Sequence, residues 1–175
     1  MKGGGNVELK KGDIFCTRNP MALGMAINAM QKLWSKDNES TYSHAGIIVE
    51  GGSSEEAVTF EALWTNKRQN LYDAYRGKKV LIGRNVHMTD ELFQKGWEGV
   101  KHHEGQVYAG YRLPLFFVPF LAKYLSLGLG VCSELAMKFL YKADLSDAWR
   151  GWNPDDVADM IHNYKDYCII FEGVL

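Results

Sequence analysis

Tyr42-Ser43-His44-Ala45-Gly46-Ile47-Ile48-Val49-Glu50-Gly51-Gly52 is the stretch on which the reading of the whole chain turns. A β-branched run with a histidine near its start and two glycines at its end reads as a strand entering a tight turn. A second short strand follows, Ala57-Val58-Thr59-Phe60-Glu61-Ala62-Leu63, with one carboxylate in a mostly apolar run. Facing residues of an antiparallel hairpin keep a constant sum of residue numbers. With Glu50 facing Glu55 across a Gly51–Ser54 loop, His44 stands opposite Glu61, with Cβ atoms roughly 4.5–5.5 Å apart. A slip of one residue puts Phe60 there instead. A carboxylate turned toward a core needs a partner. Opposite His44, Glu61 accepts a ring N–H and fixes the tautomer, so the second nitrogen is free to take a proton from a nucleophile. The plainer alternatives are a packed or surface histidine and a Glu61 that points to solvent at a sheet edge.

The matching nucleophile is Cys132. It follows Gly128-Leu129-Gly130 and opens a helix predicted from Val131, whose inner face is Leu135, Ala136, Phe139, Leu140 and Ala143. Unpaired N–H groups and the helix dipole in a first turn stabilise a thiolate. The same N–H groups suit an oxyanion. The alternative is a buried structural cysteine at a helix start. Ser43 and Ser133 flank the site as substrate or oxyanion candidates. Strand alternation turns Ser43 away from the face of His44, and Ser133 lies one helical step past Cys132. Cys16 and Cys168 sit in strands among large apolar residues and read as inert core thiols.

The chain as a whole bounds these readings. Its 175 residues predict one domain, 1–175, with residues 1–10 as a flexible leader and a core that needs no disulfide staples. A net charge of −1 and the lack of a long Lys/Arg run exclude an electrostatic footprint for nucleic acid. Three cysteines without a CxxC suggest neither a disulfide framework nor a zinc ribbon. The N-terminus lacks the apolar core of a secretory signal, which favours a cytoplasmic location. Leu113 to Leu129 contains Pro114, Pro119 and Lys123 and falls short of the roughly 20 apolar residues of a spanning helix. It reads as a lipid-facing or substrate-facing flap.

Along the chain, Gly12–Thr17 is a first strand. Asn19-Pro20 starts a helix with Met21, Met25, Met30 and Leu33 at helical spacing. Thr65–Arg76 reads as polar and irregular, with Tyr72 and Tyr75 as anchors. Lys79–Arg84 is a strand, and Thr89 or Asp90 caps a helix ending near Gly105. Asn153-Pro154 starts a short helix with Asp155 and Asp156 in its first turn. Asp166–Glu172 closes the chain as a strand. The fold class is α+β, a largely antiparallel sheet packed with helices.

Ser43-His44-Ala45-Gly46-Ile47-Ile48, then Phe60-Glu61-Ala62, then Val131-Cys132-Ser133-Glu134-Leu135 resembles the circularly permuted papain-like hydrolases of the NlpC type, especially the YiiX/YaeF-like branch. The order His, acidic residue, Cys is that of the permuted group, and the likeness runs from Gly12-Asp13-Ile14 through Gly105-Gln106-Val107-Tyr108 to Pro154-Asp155-Asp156. The resemblance implies a permuted papain-like fold with Cys132 as nucleophile, His44 as base and Glu61 as orienting residue. Tyr108 matches a family tyrosine, which either lines the site and donates to the oxyanion or packs. Val131 stands where the branch usually has an aromatic, and Ala109 where an Asp often follows the tyrosine.

Three functions follow. The first is a cysteine hydrolase that cleaves an amide (peptide or N-acyl amino acid) or ester bond through a thioester, without a cofactor. The second keeps the residues but moves acyl chains from lipids, as in the lecithin:retinol acyltransferase group, with Leu113–Leu129 holding the chain. The third is a binding module, or a metal held by His44, Glu61 and Cys132. His102-His103-Glu104 is a poor metal motif, because adjacent histidines on a helix point about 100° apart. The expected partner is a small-molecule, peptide or lipid-like acyl substrate.

Overall fold

A computed structural model describes residues 7–18, 41–63, 65–106 and 131–175. Six strands among them form one antiparallel sheet: β1 (Ile14–Thr17), β2 (His44–Glu50), β3 (Val58–Ala62), β4 (Asn66–Asn70), β5 (Lys79–Asn85) and β6 (Tyr167–Val174), in the order β4-β3-β2-β1-β5-β6. The described helices are α1 (Leu71–Tyr75), α2 (Asp90–Val100), α3 (Val131–Lys142) and α4 (Pro154–Asn163), with a 3-10 turn at Lys101–His103. The architecture is α+β, as the periodicities predict. The predicted leader (but for residues 7–10), the methionine-bearing helix after Pro20, Tyr108 and the Leu113–Leu129 stretch lie outside the described residues. No described helix is long and apolar enough to cross a membrane.

Both faces of the sheet are covered. On one, Ile14, Cys16, Ala45, Ile47, Phe60 and Leu81 pack with Phe93 of α2, Phe139 and Leu140 of α3, and Met160 and Ile161 of α4. On the other, Phe15, Ile48, Val80 and Ile82 pack with Leu9 and with Leu71 and Tyr75 of α1. Double coverage explains why β2 is buried at every position but its last and reads as a continuous apolar run. The helix starts follow their caps. Thr89 Oγ1 accepts the Leu92 N–H at 3.3 Å, and Asn153 forms a capping box with Asp156 ahead of Pro154.

Three expectations are corrected. Thr65–Arg76 is regular structure: β4 pairs with β3 from Val58↔Asn70 to Ala62↔Asn66, and Asn70 then caps α1 by accepting the Asp73 N–H. An edge strand half in water carries no apolar alternation, so Asn66-Lys67-Arg68-Gln69-Asn70 gave no periodic signal. The helix α2 stops at Val100 instead of near Gly105. Cys168 is exposed, because β6 is the outermost strand of the sheet.

The hairpin register is also displaced. The observed pairs are Ile47↔Phe60 and Ile48↔Thr59, followed by an irregularity that brings Glu50 opposite Val58. Gly51 and Gly52 do not make the turn; Gly52 exchanges both backbone hydrogen bonds with Leu9, at 2.8 and 2.9 Å. The reversal comes later, where Ser53 N–H and Oγ both donate to Glu56 Oε2. Continuing the observed ladder by one pair puts Gly46, not His44, opposite Glu61. The displacement is two residues, so Glu61 stays on the face of His44 as its diagonal neighbour.

Candidate functional site

His44 is the first residue of β2 and is 2% exposed; Glu61, near the end of β3, is fully buried. The diagonal between them is bridged by a direct bond, His44 Nε2 to Glu61 Oε2 at 2.5 Å. Gly46 leaves the room for it. A Cβ at Gly46 would lie 2.5 Å from Phe15 Cε1 and 3.0 Å from Glu61 Cβ. The glycine therefore lets the Phe15 ring and the Glu61 side chain close over the strand from either side. Phe15 then packs edge-on against the His44 ring, with centroids 6.1 Å apart.

The Glu61 carboxylate has four partners. Besides His44, the Tyr75 hydroxyl donates to Oε2; Thr59 Oγ1 and Gln69 Nε2 are 2.6 and 2.9 Å from Oε1. An ionised carboxylate offers about four lone-pair sites, and here each meets a donor. That saturation is how a charge survives full burial. Burial by itself raises the Glu61 pKa, but the His44, Thr59 and Tyr75 interactions outweigh it and hold the group below its ordinary range. Thr59, Gln69 and Tyr75 escaped the sequence reading as site residues. The one available signal was period two on β3, which puts Thr59 on the Glu61 face.

Cys132 lies in the first turn of α3 and is 6% exposed. His44, whose Nε2 is engaged by Glu61, is the neighbour that acts most on the thiol, through its charge and then through hydrogen bonding. Backbone hydrogen bonding from Ala45 and Ser133 favours the thiolate as well. Burial opposes the thiolate, yet the His44 charge and these hydrogen bonds lower the Cys132 pKa from its ordinary 9.0. Burial likewise opposes the imidazolium, but Cys132 and then Glu61 push the His44 pKa up to about 10. Both shifts run in the direction of a thiolate–imidazolium pair, with the Glu61 carboxylate behind the ring.

The other predicted residues fall elsewhere. Ser43 is buried and its N–H donates to Thr17 O at 3.1 Å. The Ser133 hydroxyl donates to Trp152 O at 2.6 Å. Cys16 is fully buried, and burial, then the nearby Cys132 charge, push its thiol up. His103 bonds Gln106 Oε1 through Nδ1 at 2.9 Å and lies 2.7 Å from Lys138 Nζ through Nε2. Both nitrogens are thus engaged away from any carboxylate.

No protein-family model matches the chain, and no curated protein matches it. Among solved structures it is similar to the metalloprotein yiiX from Escherichia coli O157:H7 (DUF1105). The TM-score is 0.58 at 19% identity, over 95% of this chain and 99% of that one. At this identity the likeness speaks for the fold: the chain has a yiiX-like α+β architecture.

Proposed function

We propose that the protein is a cysteine hydrolase of permuted papain-like architecture that cleaves an amide or ester bond through a thioester, with Cys132 as nucleophile, His44 as acid and base, and Glu61 as orienting residue. The supporting observation is the pairing of a buried imidazole with a saturated, buried carboxylate, beside a first-turn thiol whose pKa the imidazole lowers. The thiolate attacks the acyl carbon, and electrons move to the carbonyl oxygen. Collapse of the tetrahedral intermediate breaks the C–N or C–O bond as His44 hands its proton to the leaving group. Neutral His44 then takes a proton from water, which attacks the thioester and releases the acid and the thiol. Glu61 keeps one N–H pinned throughout, so the working nitrogen keeps facing the sulfur.

The similar yiiX protein is a metalloprotein, which raises a metal ion as another occupant of these residues. A cation bound by an imidazole nitrogen and a carboxylate oxygen sits about 2.0–2.2 Å from each and holds them about 3 Å apart. Here His44 Nε2 and Glu61 Oε2 are 2.5 Å apart in a direct bond, and the other carboxylate oxygen is taken by Thr59 and Gln69. Among the described residues, no group of three or more His, Cys, Asp or Glu side chains is arranged to hold a metal ion. These residues do not fit one.

The test uses a Cys168→Ser background, because Cys168 is exposed. Iodoacetamide at pH 7 followed by peptide mass spectrometry should label Cys132 far faster than Cys16. Cys132→Ala should abolish hydrolysis across a panel of peptide amides, N-acyl amino acids and phospholipids while melting as a folded protein. Equal hydrolysis by Cys132→Ala, or Cys16 labelling as fast as Cys132, would sink the assignment. Turnover of phospholipids alone would move the substrate to the lipid acyl class.

A further inference from the structure

The hydroxyl of Tyr75 and the ring of His44 use the same oxygen of Glu61. Tyr75 is the last residue of α1, is 5% exposed, and stacks its ring on Phe15 with centroids 5.5 Å apart. Gln69 belongs to the same arrangement, because its amide donates to Glu61 Oε1 at 2.9 Å. Two donors on one oxygen compete for the same electron density. Whatever Tyr75 draws from Oε2 is lost to the imidazole proton.

We infer that Tyr75 is a positioning residue that keeps the His44 proton exchangeable: by donating to the Glu61 oxygen that the imidazole also uses, its hydroxyl limits how tightly the carboxylate grips the imidazolium. This rests on the hydrolase reading above. In that chemistry His44 must be protonated to expel the leaving group and neutral to activate water. Once the thioester forms, the sulfur carries no charge, and Glu61 alone holds the proton on the ring. An unshared Glu61 would favour the imidazolium at both stages, which assists acylation and hinders deacylation. The Tyr75 donor stabilises the carboxylate most when His44 is neutral, because the anion is then otherwise uncompensated. Burial, and then the Glu61 charge, raise the Tyr75 pKa, so the phenol remains a donor throughout the working range.

The titratable and charged groups around the pair are His44 on β2, Cys132 on α3, Lys78 after α1, and Lys67, which faces Glu61 from β4. The Lys78 Nζ lies 5.5 Å from the centre of the Tyr75 ring. None of these is altered in Tyr75→Phe, which also keeps the ring against Phe15.

The experiment compares wild type with Tyr75→Phe, both in the Cys168→Ser background. It measures Cys132 alkylation by iodoacetamide from pH 4 to 9, then hydrolysis to pH 11, with the acyl-enzyme trapped by acid quench and weighed. In Tyr75→Phe the acid limb of alkylation should move down, and the alkaline limb of hydrolysis up, each by about half a pH unit or more. The fraction of enzyme trapped as thioester should rise. A purely structural role would leave both limbs in place and change only amplitude or melting temperature. If wild type shows the fast Cys132 alkylation and Tyr75→Phe superimposes on it, the inference about Tyr75 is overturned while the hydrolase reading stands. If wild type shows no preferential alkylation of Cys132, the hydrolase reading itself fails. Should Tyr75→Phe not fold, Gln69→Leu on the half-exposed β4 edge removes the donor from Oε1. It must shift the limbs in the same direction, or the inference is overturned.

Discussion

Replacing Gly46 by alanine adds one methyl group at a point enclosed by Phe15 and Glu61. The new Cβ would meet Phe15 Cε1 at 2.5 Å, Phe15 Cζ at 2.8 Å and Glu61 Cβ at 3.0 Å. Carbon atoms settle about 3.5–4.0 Å apart, so the ring edge must retreat by about 1 Å. Phe15 is fully buried and bears on both His44 and Tyr75. The retreat therefore passes into the two donors that hold Glu61 Oε2. The backbone at Gly46 is not left-handed, so the cost is one of packing. Overpacking of this kind costs about 1–3 kcal/mol. At about 2 kcal/mol, a chain of this length loses about 4–8 °C in melting temperature. The assay is thermal unfolding together with the rate of Cys132 alkylation at pH 7, which should fall several-fold as the ring tilts away from the sulfur. Adding Phe15→Leu should restore part of both losses, with a coupling of about 0.5 kcal/mol or more in a double-mutant cycle. The reasoning is refuted if Gly46→Ala melts within about 1 °C of wild type with unchanged alkylation, or if the two substitutions are simply additive.

Two further outcomes are expected. Glu61→Gln should retain a small fraction of the hydrolysis rate, because the amide oxygen still accepts the imidazole N–H, whereas Glu61→Leu should retain none; equal rates for both would remove Glu61 from the mechanism. The pH dependence of stability follows from the ordinary values of 6.5 for His44 and 9.0 for Cys132, with the His44 pKa raised to about 10 and the Cys132 pKa lowered in the folded chain. Above 9 the unfolded pair has lost its protons while folded His44 keeps one, so stability falls as the pH rises through about 10. The lowered Cys132 pKa contributes stability that is present above its ordinary 9.0 and is lost as the pH falls through the lowered value. Melting curves of wild type against Cys132→Ser, recorded from pH 5 to 11, should differ by a stabilisation that fades toward both flanks; parallel curves would exclude a stable ion pair.

Period and punctuation carried most of the secondary structure. The caps at Thr89 and Asn153, the buried run of β2 and the inner face of α3 each follow from local chemistry. The β4–α1 segment was illegible for an equally physical reason: an edge strand half in water has no apolar alternation to display, and a five-residue helix shows little more than one turn of periodicity. Cys168 was read as a core thiol because β6 is as apolar as an interior strand, yet it lies at the sheet margin.

The site divides in the same way. The sequence by itself singled out His44, Glu61 and Cys132, because an imidazole at a strand start, a carboxylate in an apolar strand and a thiol at a helix start each ask for a partner. Their shared face survived because the displacement of register turned out to be even. Which residues oppose one another was decided only in three dimensions. There Gly52 pairs with Leu9, the turn moves to Ser53–Glu56, and Gly46 takes the place opposite Glu61. The donors on the carboxylate were decided there too, because Thr59, Gln69 and Tyr75 come from three separate elements, and only the closed sheet with α1 folded over it brings their polar atoms to one buried charge.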